Sequence, residues 1–305
     1  MRRYIIKRLL LGIISIVGVS IIVFFAARLS GDVALLLAPM DASQAELDAV
    51  RAQLGLNQPM PVQYLVFAQG ALTGDFGRSI RYRRPVMELL LERISPTLQL
   101  TVTAFVISMV LGILLGATCA TRRGTWWDSF GKLFGLAGQS MPSFWVGISA
   151  ILIFSVGLRW LPTGGRGGIE NLVLPALVLA WLPVASIMRL TRSAMLDVLD
   201  SEYVKLARLK GNSERVVVWK HALRNALIPL AGLSGMQLAN LIGGAVIVES
   251  VFSWPGMGSL IMDAVTSRDY PLIQGGVFLF SISCVVVNLL VDLSYAVIDP
   301  RIRYE

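Results

Sequence analysis

Residues that could carry out chemistry are scarce in this sequence. Its 305 residues include one histidine and two cysteines, and only 15% of them are charged. His221 has no histidine or cysteine near it in the sequence, so no metal site is predicted. The sequence also lacks a Walker A pattern, an H-E-x-x-H motif and a G-x-S-x-G motif. We therefore expect no catalytic residue in this chain, and no hydrolysis of nucleotide or peptide by this chain alone.

Hydrophobic residues, by contrast, make up 55% of the chain, and the mean hydropathy is +0.69. A helix needs about 20 apolar residues to cross the roughly 30 Å hydrocarbon core of a bilayer. Cys119 and Cys284 both lie in apolar stretches, which argues against an extracellular disulfide framework. The sequence predicts an all-α membrane protein with six transmembrane helices, near residues 9–29, 97–120, 131–157, 172–191, 226–248 and 272–296.

The positions of lysine and arginine predict the orientation of these helices. Short cytoplasmic loops carry an excess of both residue types. An inner N-terminus places the basic residues of the first ten positions, the 122–132 loop, the 192–224 segment and the tail on one side. We therefore expect both termini in the cytoplasm. The net charge of +8 comes mostly from this bias and from the basic segment 192–224. Membrane lipid is therefore an expected partner and nucleic acid is not.

Residues 31–96 separate the first two predicted spans and have helix signals of their own. Ser43 is predicted to cap a helix that contains Leu47 and Val50 and ends near Gly55. A second apolar pattern follows LGLNQPMP and ends at the turn-like cluster TGDFGRS. The segment is too short to hold a large core alone. We expect it to lie on the outer membrane face and to shape an entrance.

Polar and helix-breaking residues interrupt two of the predicted spans. Gln139, Ser140 and Pro142 fall in the third span, and Gln237 and Asn240 fall in the fifth. Broken helices often line cavities in transport proteins, so these five residues are candidates to line a pore. A kink that is tolerated for packing is the alternative interpretation.

A different class of protein remains open at this point. A self-contained secondary transporter is expected to use ionisable groups inside the membrane, and Asp292 in the last span is one such group. Asp292 lies near the inner end of its span, where packing between helices explains it equally well. Dependence of uptake on ATP or on an ion gradient separates the two classes.

The most informative stretch is the polar segment, residues 202–229, which reads EYVKLARLKGNSERVVVWKHALRNALIP between two apolar spans. Tyr203, Leu206, Ala207 and Leu209 recur on or near one face of a predicted helix that ends at Gly211. A second helix is predicted to start at Ser213 and to run toward the membrane. Two short helices joined by a glycine turn would make a lever. A basic amphipathic hairpin resting on anionic headgroups is the alternative.

The polar segment resembles the coupling loop, or EAA loop, of the integral-membrane subunits of bacterial ABC importers for dipeptides, oligopeptides and nickel. The sequence has Lys205, Leu206 and Ala207 where the general signature has Glu-Ala-Ala, which is usual for peptide permeases. Further matches run along the whole chain and identify it as similar to the B-type permease of a peptide importer: LGLNQP at 54–59, GDFGRS at 74–79, SPTLQLT at 95–101, SMPSFW at 140–145, ESVFSWPGMG at 249–258, RDYPLIQG at 268–275 and DPRIRY at 299–304.

The resemblance implies a type I ABC importer permease fold with a cytoplasmic coupling helix, in the bacterial inner membrane. It implies an N-terminal transmembrane helix at 1–30, a periplasmic subdomain at 31–96, a five-helix MetI-like permease core at 97–296 with a coupling loop at 192–225, and a cytoplasmic tail at 297–305. It also implies two sets of site residues. Those for ATPase coupling are Glu202, Tyr203, Ala207, Arg208, Lys210, Gly211, Arg224, Asn225 and Pro229, and those for an outer gate or a binding-protein contact are Glu249, Phe252, Trp254, Pro255, Gly256 and Gly258.

The resemblance further implies the partners and the task of such a subunit. The partners would be a second homologous permease, two cytoplasmic ATP-binding subunits and an extracytoplasmic solute-binding protein. No cofactor is expected in this chain, because ATP and Mg²⁺ would be bound by the partner ATPases. The expected function is a channel for di- or oligopeptides with alternating access driven through the coupling helix, in which Arg208 and Lys210 would meet acidic groups of an ATPase. Nickel, glutathione or another small solute is the alternative cargo.

Overall fold

The computed structural model describes residues 2–29, 43–53 and 55–298, and these residues are almost entirely helical. Within them the only β-type pairing is an isolated antiparallel bridge between Arg78 and Pro85. A helical fold is the expected result for long apolar segments, because a helix satisfies its backbone hydrogen bonds internally where lipid offers none. The all-α class predicted from the sequence is confirmed.

Thirteen α-helices are described, in chain order. They are α1 Arg2–Leu29, α2 Gln44–Gln53, α3 Met60–Thr73, α4 Val86–Thr121, α5 Trp126–Ser140, α6 Ser143–Ala150, α7 Ile169–Leu199, α8 Glu202–Leu209, α9 Glu214–Val216, α10 Leu223–Ala226, α11 Ile228–Val251, α12 Met257–Thr266 and α13 Tyr270–Ile298. Two π-helical stretches, Ile151–Gly157 and Val217–Ala222, follow α6 and α9.

Five of these helices, namely α1, α4, α7, α11 and α13, are long and apolar enough to cross a membrane. The third predicted span, residues 131–157, is broken where the sequence has its interrupting residues: α5 and the helical stretch Ser143–Gly157 meet at an angle of 108°, and the pair makes a sixth candidate span if it is counted as one. The reason is local. Met141 precedes a proline, which disfavours the helical conformation, and it is extended with φ −93° and ψ 120°. Pro142 is extended as well, and α6 starts at the next residue.

One compact unit consists of Met1–Ser95 and Gly256–Leu289. The predicted helix of the outer segment is present as α2, and Ser43 and Glu46 cap it reciprocally: the Ser43 N–H donates to Glu46 Oε2 at 2.7 Å. The core of this unit brings the start of α4 against α12 and the start of α13. Its buried residues are Val86, Leu89, Leu90, Met257, Leu260, Ile261, Ala264 and Leu272.

A buried carboxylate in this unit joins two of the sequence motifs. Asp269 is fully buried and accepts a hydrogen bond from Ser79 Oγ at 2.5 Å and from the Arg81 N–H at 3.1 Å. Its second oxygen accepts the N–H of Leu272 in the first turn of α13. The GDFGRS and RDYPLIQG motifs are therefore adjacent in space, and Asp269 connects them.

The second compact unit consists of Pro96–Pro255 and Leu290–Glu305. Its core packs α7 against α4, α6 and α11, with fully buried side chains such as Leu100, Ala176, Ala180 and Ala245. Helix α5 runs antiparallel to α7, so residues near the start of α5 face residues near the end of α7. The predicted tail lies outside the described residues from 299 onward, as does the segment 30–42.

Candidate functional site

Helix α8 forms the first half of the polar segment, and its ends are set by local chemistry. Ser201 occupies the N-cap position with an extended backbone, and Glu202 lies in the first turn. Gly211 follows the helix in the left-handed conformation, with φ +78°, and its N–H donates to Arg208 O at 3.0 Å. A residue with a side chain rarely adopts this conformation, so glycine at this position allows the chain to turn sharply. The stop predicted at Gly211 is confirmed.

The apolar residues of α8 divide between a buried and an exposed side of the helix. Val204 and Ala207 are the buried residues of the helix, whereas Leu206 and Leu209 are 53% and 84% exposed. Val204 and Ala207 pack with α4, α7 and the second half of the polar segment, in a cluster that includes Ala117, Ala120, Ala194, Met195, Val217, Val218, Ala222 and Ala226. Small residues on all sides of this cluster bring the backbones close together. Helix α8 is therefore seated firmly while its opposite face is free in this chain.

The second half of the polar segment begins where the sequence predicts it, with Ser213 at the N-cap position and Glu214 in the first turn. The π-helical stretch Val217–Ala222 has no counterpart in the prediction, because a π-turn leaves no periodicity that distinguishes it from an α-helix. The side chain of Asn225 donates to Tyr203 Oη at 2.8 Å, which joins the two halves. Pro229 lies in the first turn of α11, where a missing N–H costs no hydrogen bond.

Arg208 has a partner inside the polar segment. Its guanidinium donates two hydrogen bonds to the carboxylate of Glu214, at 3.1 and 2.8 Å. This contact lowers the pKa of Glu214 below its ordinary value. Lys205 forms a similar pair with Glu202 at 2.8 Å. The expected contact of Arg208 with an acidic group of another subunit must therefore compete with an existing bidentate pair.

The candidate gate segment, residues 249–258, is held by buried contacts. Glu249 is fully buried and accepts a hydrogen bond from Thr97 Oγ1 at 2.6 Å, so the end of α11 is joined to α4. Trp254 is 1% exposed, and its Nε1 donates to the Pro96 carbonyl at 3.0 Å. The buried Phe252 accepts the Gly165 N–H at its carbonyl oxygen, 2.8 Å away.

The unusual backbone conformation in the gate segment is not at one of its glycines. Gly256 has φ −96°, which any residue adopts, and Gly258 is inside α12. The residue with the unusual conformation is Ser253, with φ +50°. Phe252 and Trp254 flank Ser253, so the strained position lies between the two buried aromatic side chains. Pro255 follows them and is half-buried.

The five candidate pore residues all line one cavity of about 380 Å³ in the second unit. The cavity lies at the break between α5 and α6, and α7 and α11 complete its wall. Gln139 at the end of α5 accepts a hydrogen bond from Arg189 Nη1 at 2.7 Å. The Asp292 side chain, by contrast, is not among those that the structure describes.

Two features near the site have no place in the sequence interpretation. Asp128 at the start of α5 is 2% exposed and pairs with Arg192 of α7 at 2.7 Å. Gly131, Gly135 and Gly138 lie against α7 or α4; a Cβ on Gly138 would approach Ala185 Cβ to 2.4 Å. The spacing of the three glycines was a signal available in the sequence, because small residues at such intervals allow helices to pack closely in membranes.

Comparison with known proteins gives a consistent result. The family described as "Binding-protein-dependent transport system inner membrane component" matches residues 108–304, and its N-terminal counterpart matches residues 1–101. The glutathione transport system permease protein GsiC of Salmonella typhimurium strain LT2 is 45% identical over 307 residues, and that of Escherichia coli strain K12 is 43% identical over 306 residues. Each alignment covers 100% of both chains.

A solved structure has the same fold at low sequence identity. The MetNI methionine ABC transporter superposes with a TM-score of 0.54 and 19% identity, over 70% of this chain and 97% of that chain. The all-helical fold is thus that of a type I ABC importer permease. On these matches the chain belongs to the family of binding-protein-dependent transport system inner membrane components, and it is a multi-pass permease subunit of a bacterial ABC importer.

Proposed function

We propose that this permease passes small peptides, delivered by a solute-binding protein, across the inner membrane, and that α8 transmits the action of partner ATPases to its helices. The observation that carries the proposal is the two-sided character of α8. Val204 and Ala207 anchor it to the helical core, while Leu206 and Leu209 leave an apolar face uncovered in this chain. A seated helix with an uncovered apolar face is suited to dock into a groove of another subunit.

Glutathione is the first cargo to test. The relatives reported above bear its name in their titles, and glutathione is itself a small peptide. It stood as an alternative beside di- and oligopeptides in the sequence interpretation, and the relatives favour it among these cargoes.

The complete machine would contain a second homologous permease, two ATP-binding subunits and a binding protein. Nucleotide hydrolysis would belong to the ATP-binding subunits, and this chain would supply part of the channel and the coupling surface. Leu206, Leu209 and Lys210 are the exposed residues through which α8 would contact an ATPase. Arg208 would contribute mainly by its ion pair with Glu214, which would hold the turn at Gly211 in the conformation that docks on an ATPase.

A physical route connects α8 with the cavity. Helix α8 follows α7 after a single turn, and α7 packs closely against α5 at Gly135 and Gly138. The Asp128–Arg192 pair joins the start of α5 to the end of α7, so a displacement of α7 would carry α5 with it. The end of α5 is the break that borders the cavity. Movement of α8 would therefore change the cavity without any deformation of the helices between them.

Burial of the aromatic side chains in the candidate gate segment supports a role as a gate rather than as a direct contact with the binding protein. Phe252 and Trp254 are both 1% exposed, so their side chains would have to leave the interior in order to touch another protein. Opening of a gate would instead rearrange them around Ser253. We therefore propose that this segment opens and closes the outer end of the path.

Copurification and transport together test the proposal. A tagged chain is extracted gently from membranes, and the recovered partners are compared for wild type and for a Glu202→Lys, Gly211→Pro double variant. We expect wild type to recover a second permease and two ATPases, and the variant to lose the ATPases selectively. Gln69→Leu, an exposed change on α3, serves as the control.

Transport by vesicles then identifies the energy source and the cargo. Uptake of glutathione, trialanine and nickel is compared in vesicles supplied with ATP and in vesicles supplied only with an ion gradient. ATP-dependent uptake of a peptide supports the proposal. Uptake driven by the gradient alone would indicate a secondary transporter. Uptake of nickel but of neither peptide would contradict the proposal of a peptide cargo.

A further inference from the structure

Polar side chains line the cavity between α5, α6, α7 and α11, and the fold satisfies only some of them: Gln139 and Ser140 have hydrogen-bond partners, whereas others have none in the described ranges. Gln237 is 6% exposed and lines the cavity, and its side chain has no hydrogen-bond partner within the part of the chain that the structure describes. Trp181 also lines the cavity, and its buried Nε1 has no partner among the described residues. A buried polar group without a partner costs about 1–3 kcal/mol, so such groups call for a ligand or water.

The lining is rich in carboxamides and poor in charge. Gln139, Gln237 and Asn240 contribute three side-chain amides, and none of the residues that line this cavity is charged. The Arg189 guanidinium, which donates to Gln139 Oε1, is itself positive, so a metal cation would enter without a counter-charge and would lose its hydration, which is costly. The site disfavours a metal ion and favours a neutral group that both donates and accepts hydrogen bonds.

A peptide group has this property. The carboxamide of a glutamine or an asparagine donates through its nitrogen and accepts through its oxygen, so it can pair with the carbonyl and N–H of a peptide backbone. Pairing of this kind does not depend on the side chains of the peptide. A cavity of about 380 Å³ lies within the range of small-ligand sites, about 300–1,000 Å³, and can accept a short peptide segment.

The helix break adds backbone groups to the same cavity. Ser143 lines the cavity and starts α6, and no side chain caps the start of this helix. The first N–H groups of a helix lack intrahelical partners and favour carbonyl or carboxylate oxygens. The oxygens of a bound peptide would supply such acceptors.

We propose that this cavity is a transient binding site for the peptide backbone of the cargo, with Gln237 and Asn240 as its principal contacts. The inference rests on the proposed function, because it takes the cargo to be a peptide. It goes further by assigning a site and a mode of recognition within the permease. Recognition of backbone rather than side chains would allow one permease to pass peptides of varied sequence, with selection left to the binding protein.

Protection of an introduced cysteine tests the site directly. Ser140→Cys is made in a Cys119→Ala, Cys284→Ala background, and the assembled importer in native membrane vesicles is alkylated with N-ethylmaleimide. Trialanine and S-methylglutathione at millimolar concentration are expected to slow alkylation of this cysteine, whereas free alanine, which has no peptide bond, is not. Thr73→Cys on α3 is the control position and should be alkylated equally with and without peptide.

A second pair of variants ties protection to the amide. In the Ser140→Cys background, Gln237→Leu is expected to weaken protection by trialanine about tenfold, the effect of one lost hydrogen bond to a buried group. Gln237→Asn keeps the amide and is expected to retain most of the protection. If Gln237→Leu fails to accumulate in the membrane, the slowing of alkylation by trialanine is still compared between Gln237→Asn and the unchanged Gln237, and this comparison tests the site.

The outcomes separate the cavity site from the function. Absence of protection by either peptide, or equal protection by alanine, overturns the site and indicates that the cavity holds only water. The alkylation measurement therefore decides whether the cavity binds peptide, and it needs no measurement of transport. ATP-dependent peptide uptake together with an unprotected cysteine would leave the proposed function intact and contradict the site. Protection without ATP-dependent uptake would support the site and contradict the proposed function.

Discussion

Arg192 donates a hydrogen bond from Nε to Asp128 Oδ1 at 2.7 Å, and this pair joins the start of α5 to the last turns of α7. Asp128 is 2% exposed, and it also contacts Lys132 Nζ at 3.1 Å and the Gly124 N–H at 3.2 Å. The carboxylate therefore has three hydrogen-bonding neighbours, Arg192, Lys132 and the Gly124 N–H, and little access to solvent. Such a group holds its surroundings in one arrangement, because loss of its partners would leave a buried charge.

Replacement of Asp128 by alanine is expected to destabilise the chain and to weaken coupling. The change leaves Arg192 without its buried partner, at a cost of about 1–3 kcal/mol. Thermal unfolding of the solubilised importer measures this cost. Lys132→Gln is the matched control, since Lys132 is 62% exposed and its pair is worth about 0–1 kcal/mol. Equal unfolding temperatures for Asp128→Ala and Lys132→Gln would contradict a structural role for the pair.

Gly138→Ala is expected to separate α5 from α7. The added Cβ would lie 2.4 Å from Ala185 Cβ, and overpacking of this kind costs about 1–3 kcal/mol. Because the obstacle is a single methyl group, Ala185→Gly should relieve it, and the double variant should recover most of the lost stability and uptake. Gly18→Ala is a suitable control, since no atom lies within 4 Å of the added Cβ there.

The rescue by Ala185→Gly makes the test of close packing specific. Gly138→Ala without any loss of stability would mean that the two helices have room to separate. A loss that Ala185→Gly does not reduce would mean that the contact is not the cause. A double-mutant cycle of the two positions measures their interaction free energy.

The sequence predicted the membrane spans and the ends of two helices, and it did so for physical reasons. Apolar length identified the spans, because the hydrocarbon core imposes a minimum length on every helix that crosses it. Local chemistry identified the ends of α2 and α8, because Ser43 and Gly211 act within a few residues of their own positions. Both kinds of signal lie within short segments of the sequence.

Contacts between distant residues had no such signal. Asp128 with Arg192, Thr97 with Glu249 and Ser79 with Asp269 are far apart in the chain and meet only after the helices pack. The break at Met141 was visible as Pro142, but its 108° angle was not, since a proline in a span is compatible with a mild kink. The sequence placed Ala207 with Leu206 and Leu209 on or near one face of α8, but of these three only Ala207 is buried. Which apolar residues are covered depends on how α8 packs on α4 and α7, and a short window of sequence does not show this.

Thr97→Val is expected to destabilise the gate segment. Thr97 Oγ1 donates to the buried Glu249, and valine keeps the shape of threonine but cannot donate. Weakening the solvation of a buried carboxylate costs about 1–3 kcal/mol. Thr103→Val is the control, because Thr103 donates only to a carbonyl of its own helix. The rate of proteolysis near Ser253 in the assembled importer is the measurement, and equal rates for the two variants would argue against the role of Glu249.

Gly211→Ala is expected to weaken docking of the ATPases without unfolding the core. The left-handed conformation costs an ordinary residue about 1–2 kcal/mol, and the added Cβ meets no atom within 4 Å, so the effect is confined to the backbone. Gly211→Asn should cost less, since asparagine tolerates this conformation. Gly211→Pro should cost most, because its φ is fixed near −65° and the N–H donated to Arg208 is lost. The order of the three in ATPase recovery checks the prediction.

An exchange of charges distinguishes two roles for Arg208. If its main partner is Glu214, Arg208→Glu alone places two carboxylates together and should lower uptake about two- to fivefold, as expected for an exposed pair worth up to about 1 kcal/mol. The double variant Arg208→Glu, Glu214→Arg restores the pair with its charges reversed and should recover uptake. If Arg208 instead contacts an acidic group of an ATPase, the reversed pair presents the wrong charge there, and the double variant should remain as impaired as Arg208→Glu. ATP-dependent uptake of trialanine by vesicles that contain equal amounts of each variant gives the answer. Lys205→Glu, which breaks the exposed pair with Glu202 and adds the same negative charge to α8, is the matched control.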